Sequence, residues 1–291
     1  MNIPILPSSL YWGMEPNHFA KMTRWAEANL NTMLREESYE ALVARRTAGL
    51  LEVNAGLGVI RIRGVLDKYW SAFLLAYDGS SLVAIRRAVE AAAADPQVKS
   101  ILLAIDSPGG SMDGLPEVGD ALFAARQVKP VVAQVDGMAA SAAYYLASQA
   151  TRIVAHRMNL IGSIGVRIML YDWHRLFENA GVEAVPIDTG EFKSAGAEGT
   201  EITENQRADF QRIVDVFFAE FLKTIERGRA LRGEHLKAVA DGRIFTGPEA
   251  LEHGLIDGIQ TFEETFAELQ QPARSTRRRS RASLLRLAEM E

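Results

Sequence analysis

Between residues 57 and 155 short apolar runs alternate with longer stretches of helical period. Gly58-Val59-Ile60-Arg61-Ile62-Arg63-Gly64 alternates apolar with polar positions and predicts a strand. The Ala-rich segment from Ser81 to Ala94 predicts a helix that stops at Asp95-Pro96. Ser100-Ile101-Leu102-Leu103-Ala104-Ile105 is continuously apolar after its first residue, the pattern of a strand buried on both faces. Asp106-Ser107-Pro108-Gly109-Gly110 is a turn signal, and a helix follows through about Gln127. Pro130 to Val135 predicts another buried strand, Ala139 to Ala150 a helix and Thr151 to Ala155 a short strand. This spacing implies stacked βαβ units and an α/β fold. Further on, Val182 to Ile187 is a candidate strand, and Gly162 to Val166 reads as a loop into a strand. Residues 203 to 230 read as one long helix whose apolar face carries Phe210, Ile213, Val214, Phe217, Phe218 and Phe221. Shorter helices are expected from about residue 233 and from about Pro248, with a turn at Gly242 between them.

Three segments result. Residues 1–56 form an N-terminal arm, punctuated by Pro4, Pro7 and Pro16 and carrying a helical pattern from Phe19 to Met33. Residues 57–270 hold the main domain. Residues 271–291 form a basic tail; from Ala273 on it has six arginines against two glutamates. Such a run reads first as a solvated tail, with nucleic-acid contact as the less favoured reading. The whole chain of 291 residues carries a net charge of −5, which argues against a nucleic-acid binder by charge. It contains no cysteine, which excludes disulfides, thiolate metal sites and a cysteine nucleophile. No apolar stretch reaches the roughly 18 residues of a membrane span, and the first residues lack the pattern of a secretory signal, so the expected location is the cytoplasm.

Candidate chemistry lies in glycine-containing turns. Gly109-Gly110 after a strand can point backbone N–H groups outward with no Cβ in the way, as an oxyanion hole requires. Ser141 sits among small residues, Gly137-Met138-Ala139-Ala140-Ser141-Ala142-Ala143, at the start of the helix expected there, with room for a substrate backbone. Gly162-Ser163-Ile164-Gly165-Val166 lacks the spacing of a phosphate loop, so no nucleotide site is expected. Each turn also has a plain structural reading as a tight connection. A nucleophilic serine needs a base. None of the five histidines, His18, His156, His174, His235 and His253, stands in a motif. Lysine is the other option, and Lys193 follows the apolar stretch Val182 to Ile187 among small and apolar neighbours. Burial of such an amine favours its neutral, basic form. With no H-E-x-x-H and no clustered ligands, neither a metal nor another cofactor is expected.

Taken together, the turns resemble the signal peptide peptidase A (protease IV) family of serine peptidases. The resemblance runs over about residues 57 to 265. It rests on Asp106 to Gly110, Gly137 to Tyr145, Gly162 to Val166, Gly190 to Ser194 and Asp241-Gly242-Arg243-Ile244-Phe245-Thr246-Gly247, followed by Ala250 to Asp257. It implies that Ser141 is the nucleophile and Lys193 the general base, and that Ser163 orients the lysine. It also implies that the Gly110 N–H lines the oxyanion hole while Gly109 shapes the turn. The implied fold is the crotonase-like, Clp protease-like ββα superhelix, and the implied assembly is a homo-oligomeric ring, with the lysine supplied in some members by a neighbouring subunit. Where the family commonly has Ser-Gly-Gly, this chain has Ser141-Ala142-Ala143. Leu6-Pro7-Ser8-Ser9-Leu10-Tyr11 looks more like the phage and prophage branch, whose members cut capsid, portal or scaffold proteins during head assembly. The expected substrate is therefore a protein or peptide, and no membrane anchor is expected. The alternatives are a cytoplasmic degradative protease, a crotonase-type enzyme acting on acyl-CoA, and a capsid scaffold protein without catalysis.

Overall fold

The structure is a computed structural model, and it describes Thr32 and residues 37–270. The basic tail and, Thr32 aside, the helical pattern from Phe19 to Met33 lie outside the described residues. Helix α1 (Tyr39–Ala48) leads into β1 (Leu51–Asn54), which pairs antiparallel with β2 (Leu57–Asp67). The sheet thus begins within the segment read as an arm. After α2 (Ala72–Ala76) and the short β3 (Ser80–Ser81), the chain repeats helix and strand. The series is α3 (Leu82–Ala94), β4 (Ser100–Gly110), α4 (Leu115–Val128), β5 (Val131–Ala140), α5 (Ala142–Ala147) and β6 (Arg152–Ala155). Strands β2, β4, β5 and β6 lie side by side and parallel. β7 (Leu160–Gly162) extends the sheet beside the far end of β5 and pairs antiparallel with β8 (Ile244–Thr246). β9 (Gly258–Ile259) runs parallel beside β6. The remaining helices are α6 (His174–Asn179), α7 (Glu204–Gly228), α8 (Gly233–Val239), α9 (Gly247–Glu252) and α10 (Phe262–Gln270). The α/β class expected from the pattern is the class observed: a mixed, mostly parallel sheet with flanking helices.

The strand period of two divides the core into two layers. Ile60, Ile62, Ile101, Leu103, Ile105, Val131, Ala133 and Val135 belong to the larger layer, together with apolar residues of α3, α4 and α5. Leu57, Val59, Leu102, Ala104, Val132 and Val154 belong to the other, where Phe262, Phe266 and Leu269 of α10 cover them. Burial on both faces explains the apolar runs of β4 and β5 at 101–105 and 131–135. Among the described residues no helix is long and apolar enough to cross a membrane.

Four local expectations are corrected. Asp106 to Gly110 is not a turn but the end of β4, where Val65 pairs with Gly109 and Leu66 with Gly110 beyond a register shift. Glycine at φ +95° lets the strand continue past the irregularity. β5 likewise runs to Ala140, so the helix expected from Ala139 starts at Ala142. At Gly162 the strand precedes the loop rather than following it. Val182 to Ile187 forms no strand; Ile187 is 96% exposed, and apolar residues form a strand only where a sheet edge is there to pair with them.

One ion pair ties the C-terminal elements to the sheet. The Arg229 guanidinium, at the end of α7, donates to both oxygens of Asp257 at 2.7 and 2.8 Å and to the Gly254 carbonyl at 3.1 Å. Asp257 also accepts the Ile153 N–H of β6 at 2.7 Å. Partial burial works to raise the Asp257 carboxyl, but the hydrogen bonds from Arg229 and Ile153 outweigh it, and the carboxyl is held below its usual value of 3.8. Because the folded value is depressed, the contribution to stability is complete above the ordinary carboxylate range and is lost as pH falls through the folded value. We expect Asp257→Asn to cost about 1–3 kcal/mol near neutral pH. The deficit should shrink below about pH 4; urea midpoints of the two proteins measured across the acid range check this.

Candidate active site

The site forms where β4 and β5 end side by side, at the carboxyl edge of the parallel strands, where the connecting loops of α/β sheets gather functional residues. Gly137 bends β5 at φ +126°, and a Cβ there would lie 2.4 Å from an Asp106 carboxylate oxygen. That carboxylate accepts the Met138 N–H at 3.1 Å, so Asp106 holds the bend in place. β5 then ends at Ala140, and Ser141 takes φ +52°, ψ −123°, a conformation costly for a residue with a Cβ. Its N–H donates to the Gly162 carbonyl at 2.8 Å, and its carbonyl accepts the Tyr145 N–H at 3.0 Å as the first bond of α5. The residues just after it, Ala142 to Ala147, are buried, while Ser141 itself is partly open to solvent.

Gly109 lies directly against this turn. A Cβ on Gly109 would fall 2.7 Å from the Ala140 oxygen, 2.8 Å from the Ala142 nitrogen and 2.8 Å from the Ser141 Cβ. Only glycine permits this approach. Gly110 is constrained from the other side, where an added Cβ would fall 1.9 Å from the Leu66 oxygen. The Ser111 N–H donates to the Leu66 carbonyl at 2.8 Å. Ser163 follows Gly162 at φ +49°, and its N–H donates to the Arg243 carbonyl at 2.7 Å. The Arg243 guanidinium also holds Asp241 below the usual carboxylate range, by three direct hydrogen bonds, the longest at 2.9 Å. That pairing ties down the turn at Gly242 that supports Ser163.

The chain therefore brings Ser141, Gly109, Gly110 and the Gly162-Ser163 backbone together. Lys193 lies elsewhere in character: it is exposed, in the turns of residues 191–196, with its N–H on the Gly190 carbonyl at 3.1 Å. Among the described residues no hydrogen bond or ion pair engages its side chain. The surrounding segment exposes Met169, Leu170, Leu176, Val182, Val185 and Phe192. A cavity of about 430 Å³ opens beside Pro108, lined also by Arg63, Gly64, Tyr77, Asp78, Asp106 and Asp136. The sequence reading gave two residues of the Asp106 to Gly110 stretch, Asp106 and Ser107, no role in the site. Their signal was position alone, polar residues between a buried strand and a Gly-Gly pair. Among the described residues no group of three His, Asp or Glu side chains is placed to hold a metal.

Comparison with known proteins yields a match of residues 124–276 to the model of peptidase family S49. That span contains Ser141, Ser163 and Lys193 and leaves out Gly109 and Gly110. Protease 4 of Salmonella typhi is 30% identical over 181 residues, which are 62% of this chain and 29% of that protein. Capsid assembly protease C of Escherichia phage lambda is 30% identical over 217 residues, 74% of this chain and 48% of that protein. The first two curated relatives are covered over 58% and 60% of their own length. Among solved structures, an enoyl-CoA hydratase/isomerase family member aligns over 77% of each chain at 18% identity, with a TM-score of 0.45.

The backbone at residue 141 offers a test that does not depend on any reaction. Glycine relieves the strain of positive φ and alanine does not, so Ser141→Gly should be more stable than Ser141→Ala by about 1 kcal/mol. Thermal or urea unfolding of the two variants measures the difference; equal stability would mean that residue 141 does not hold this conformation in solution.

Proposed function

We propose that this chain, which belongs to peptidase family S49, is a serine endopeptidase with Ser141 as nucleophile and Lys193 as general base. The observation that carries the reading is the contact of Gly109 with Ser141, 2.8 Å from an added Cβ to the Ser141 Cβ. It sets the Gly109-Gly110 end of β4 beside a serine held in a strained backbone conformation. The neutral amine of Lys193 takes the Ser141 hydroxyl proton as Oγ attacks the scissile carbonyl. The Gly110 N–H receives the oxyanion, and the lysine returns its proton to the leaving amine. Water then cleaves the acyl-enzyme with the same base. Ser163, whose backbone adjoins Ser141 through the Gly162 carbonyl, orients the lysine amine.

Burial favours the neutral form in which a lysine acts as a base, and Lys193 lies in an exposed turn. We therefore include assembly in the reading: copies of the chain form a ring that covers the apolar side chains exposed between Met169 and Phe192 and encloses Lys193. The lysine then serves a serine of its own chain or of the neighbour. The substrate is a protein of phage head assembly, in keeping with the similarity to the lambda capsid assembly protease.

Ser141→Ala and Lys193→Ala should each lower cleavage of casein by about a thousandfold or more while the fold is retained, read by mass spectrometry of the products. Mixing the two inactive variants separates the dyad arrangements: recovered activity means the lysine crosses between subunits, and no recovery means it stays within one. Co-expression with phage capsid and scaffold proteins tests the biological role. Ser141-dependent processing of those proteins is the expected result; cleavage of casein with the phage proteins left intact would point to a degradative protease.

A further inference from the structure

We infer that Ser107 is a positioning residue for the oxyanion-binding end of β4, an assignment that rests on the peptidase reading above. Ser107 is fully buried, with 0% exposure, on a strand whose neighbours are apolar. Its hydroxyl donates to the Gly64 carbonyl at 2.6 Å and accepts the Gly109 N–H at 3.1 Å. A single hydroxyl thus uses its one hydrogen and one of its lone pairs on two backbone groups from adjacent strands.

Those two groups are the ones that need it. The β2–β4 register shifts between Arg63 and Val65, and the β4–β5 register shifts between Ile105 and Ser107. A register irregularity of this kind disrupts the ladder and leaves backbone groups to be paired some other way. Gly64 sits in the first shift at φ +55°, where a Cβ would lie 2.8 Å from the Asp78 oxygen. Ser107 stands at the second and bridges it to the first. The result fixes Gly109, and Gly109 touches Ser141.

The bond also sorts the two glycine amides. With the Gly109 N–H on the Ser107 hydroxyl, the Gly110 N–H is the amide that the reading above assigns to the oxyanion. Ser107 touches neither substrate nor the reacting atoms. It acts by holding the peptide between Gly109 and Gly110 in one orientation before charge develops, which is the condition under which such a donor is effective.

The test uses a peptide that the wild type is shown to cut, chosen from mapped casein cleavage sites, and the matching peptide aldehyde, which adds the Ser141 hydroxyl across its C=O. In Ser107→Ala, kcat should fall by about 10–100-fold, part of the loss known for removing an oxyanion donor outright. KM should move by less than about threefold. Inhibition by the aldehyde should weaken in parallel with kcat, because the adduct bears the oxygen that the Gly110 amide would hold. Binding of the uncut peptide, measured in the Ser141→Ala background with and without Ser107→Ala, should not change. Ser107→Cys keeps the shape but supplies a poor hydrogen-bond partner, and should show the same kcat loss if Ser107→Ala does not fold. A variant that folds and keeps wild-type kcat, or loses kcat and peptide binding together, overturns the assignment, as does failure of both variants to fold. If the wild type itself neither cuts peptides nor reacts with the aldehyde, the peptidase reading has failed instead.

Discussion

The site depends on one close approach, that of the last residues of β4 to the turn that ends β5. At Gly109 the two backbones are so near that even a methyl group would collide with Ala140, Ser141 and Ala142. Neighbouring strands normally lie about 4.8 Å apart with side chains above and below the sheet. Here the strands run past their regular pairing, bend through bulges and glycines, and meet edge to edge. Ser141 and the Gly109-Gly110 pair come from these two strand ends, so their separation is set by the sheet and not by loops.

That approach is held by polar groups placed where the ladder is irregular. Asp106 secures the bend at Gly137 through the Met138 N–H. Ser107 joins Gly64 to Gly109. Gly162 and Arg243 receive the amides of Ser141 and Ser163, and Asp241 fixes Arg243. Each closes a backbone group at the irregular strand ends, and at the buried Gly109 N–H an unmade hydrogen bond would cost more than a made one returns. Strain at Ser141 persists because these surrounding bonds over-determine it.

The segment that carries Lys193 is built on the opposite principle. Between Met169 and Phe192 large apolar side chains face outward, and α7 buries only Gln206, Phe221, Thr224 and Ile225. A sheet core closes on itself within one chain, whereas this region leaves its apolar surface unspent. Two halves of the proposed dyad thus belong to parts of the molecule with different requirements, one rigid within the chain and one that our reading completes by assembly.

Much of this was legible in the residues. The apolar runs at 100–105 and 131–135 marked strands covered on both faces, since only burial on both sides removes the alternation with polar residues. Gly109-Gly110 and the small residues around Ser141 marked places where backbone comes close, because glycine and alanine leave the space such contact needs. Local pattern misjudged where those elements stop. Asp106 to Gly110 has the composition of a turn yet extends β4, since pairing with Val65 and Leu66, far away in sequence, outweighs local preference. Val182 to Ile187 has the composition of a strand yet stays exposed, since a strand exists only where another edge meets it. The kinds of residue and their order were thus determined by the sequence alone. Which glycine touches the serine and which amide is occupied by Ser107 were decided only by the tertiary structure, because they depend on the register between strands thirty or more residues apart.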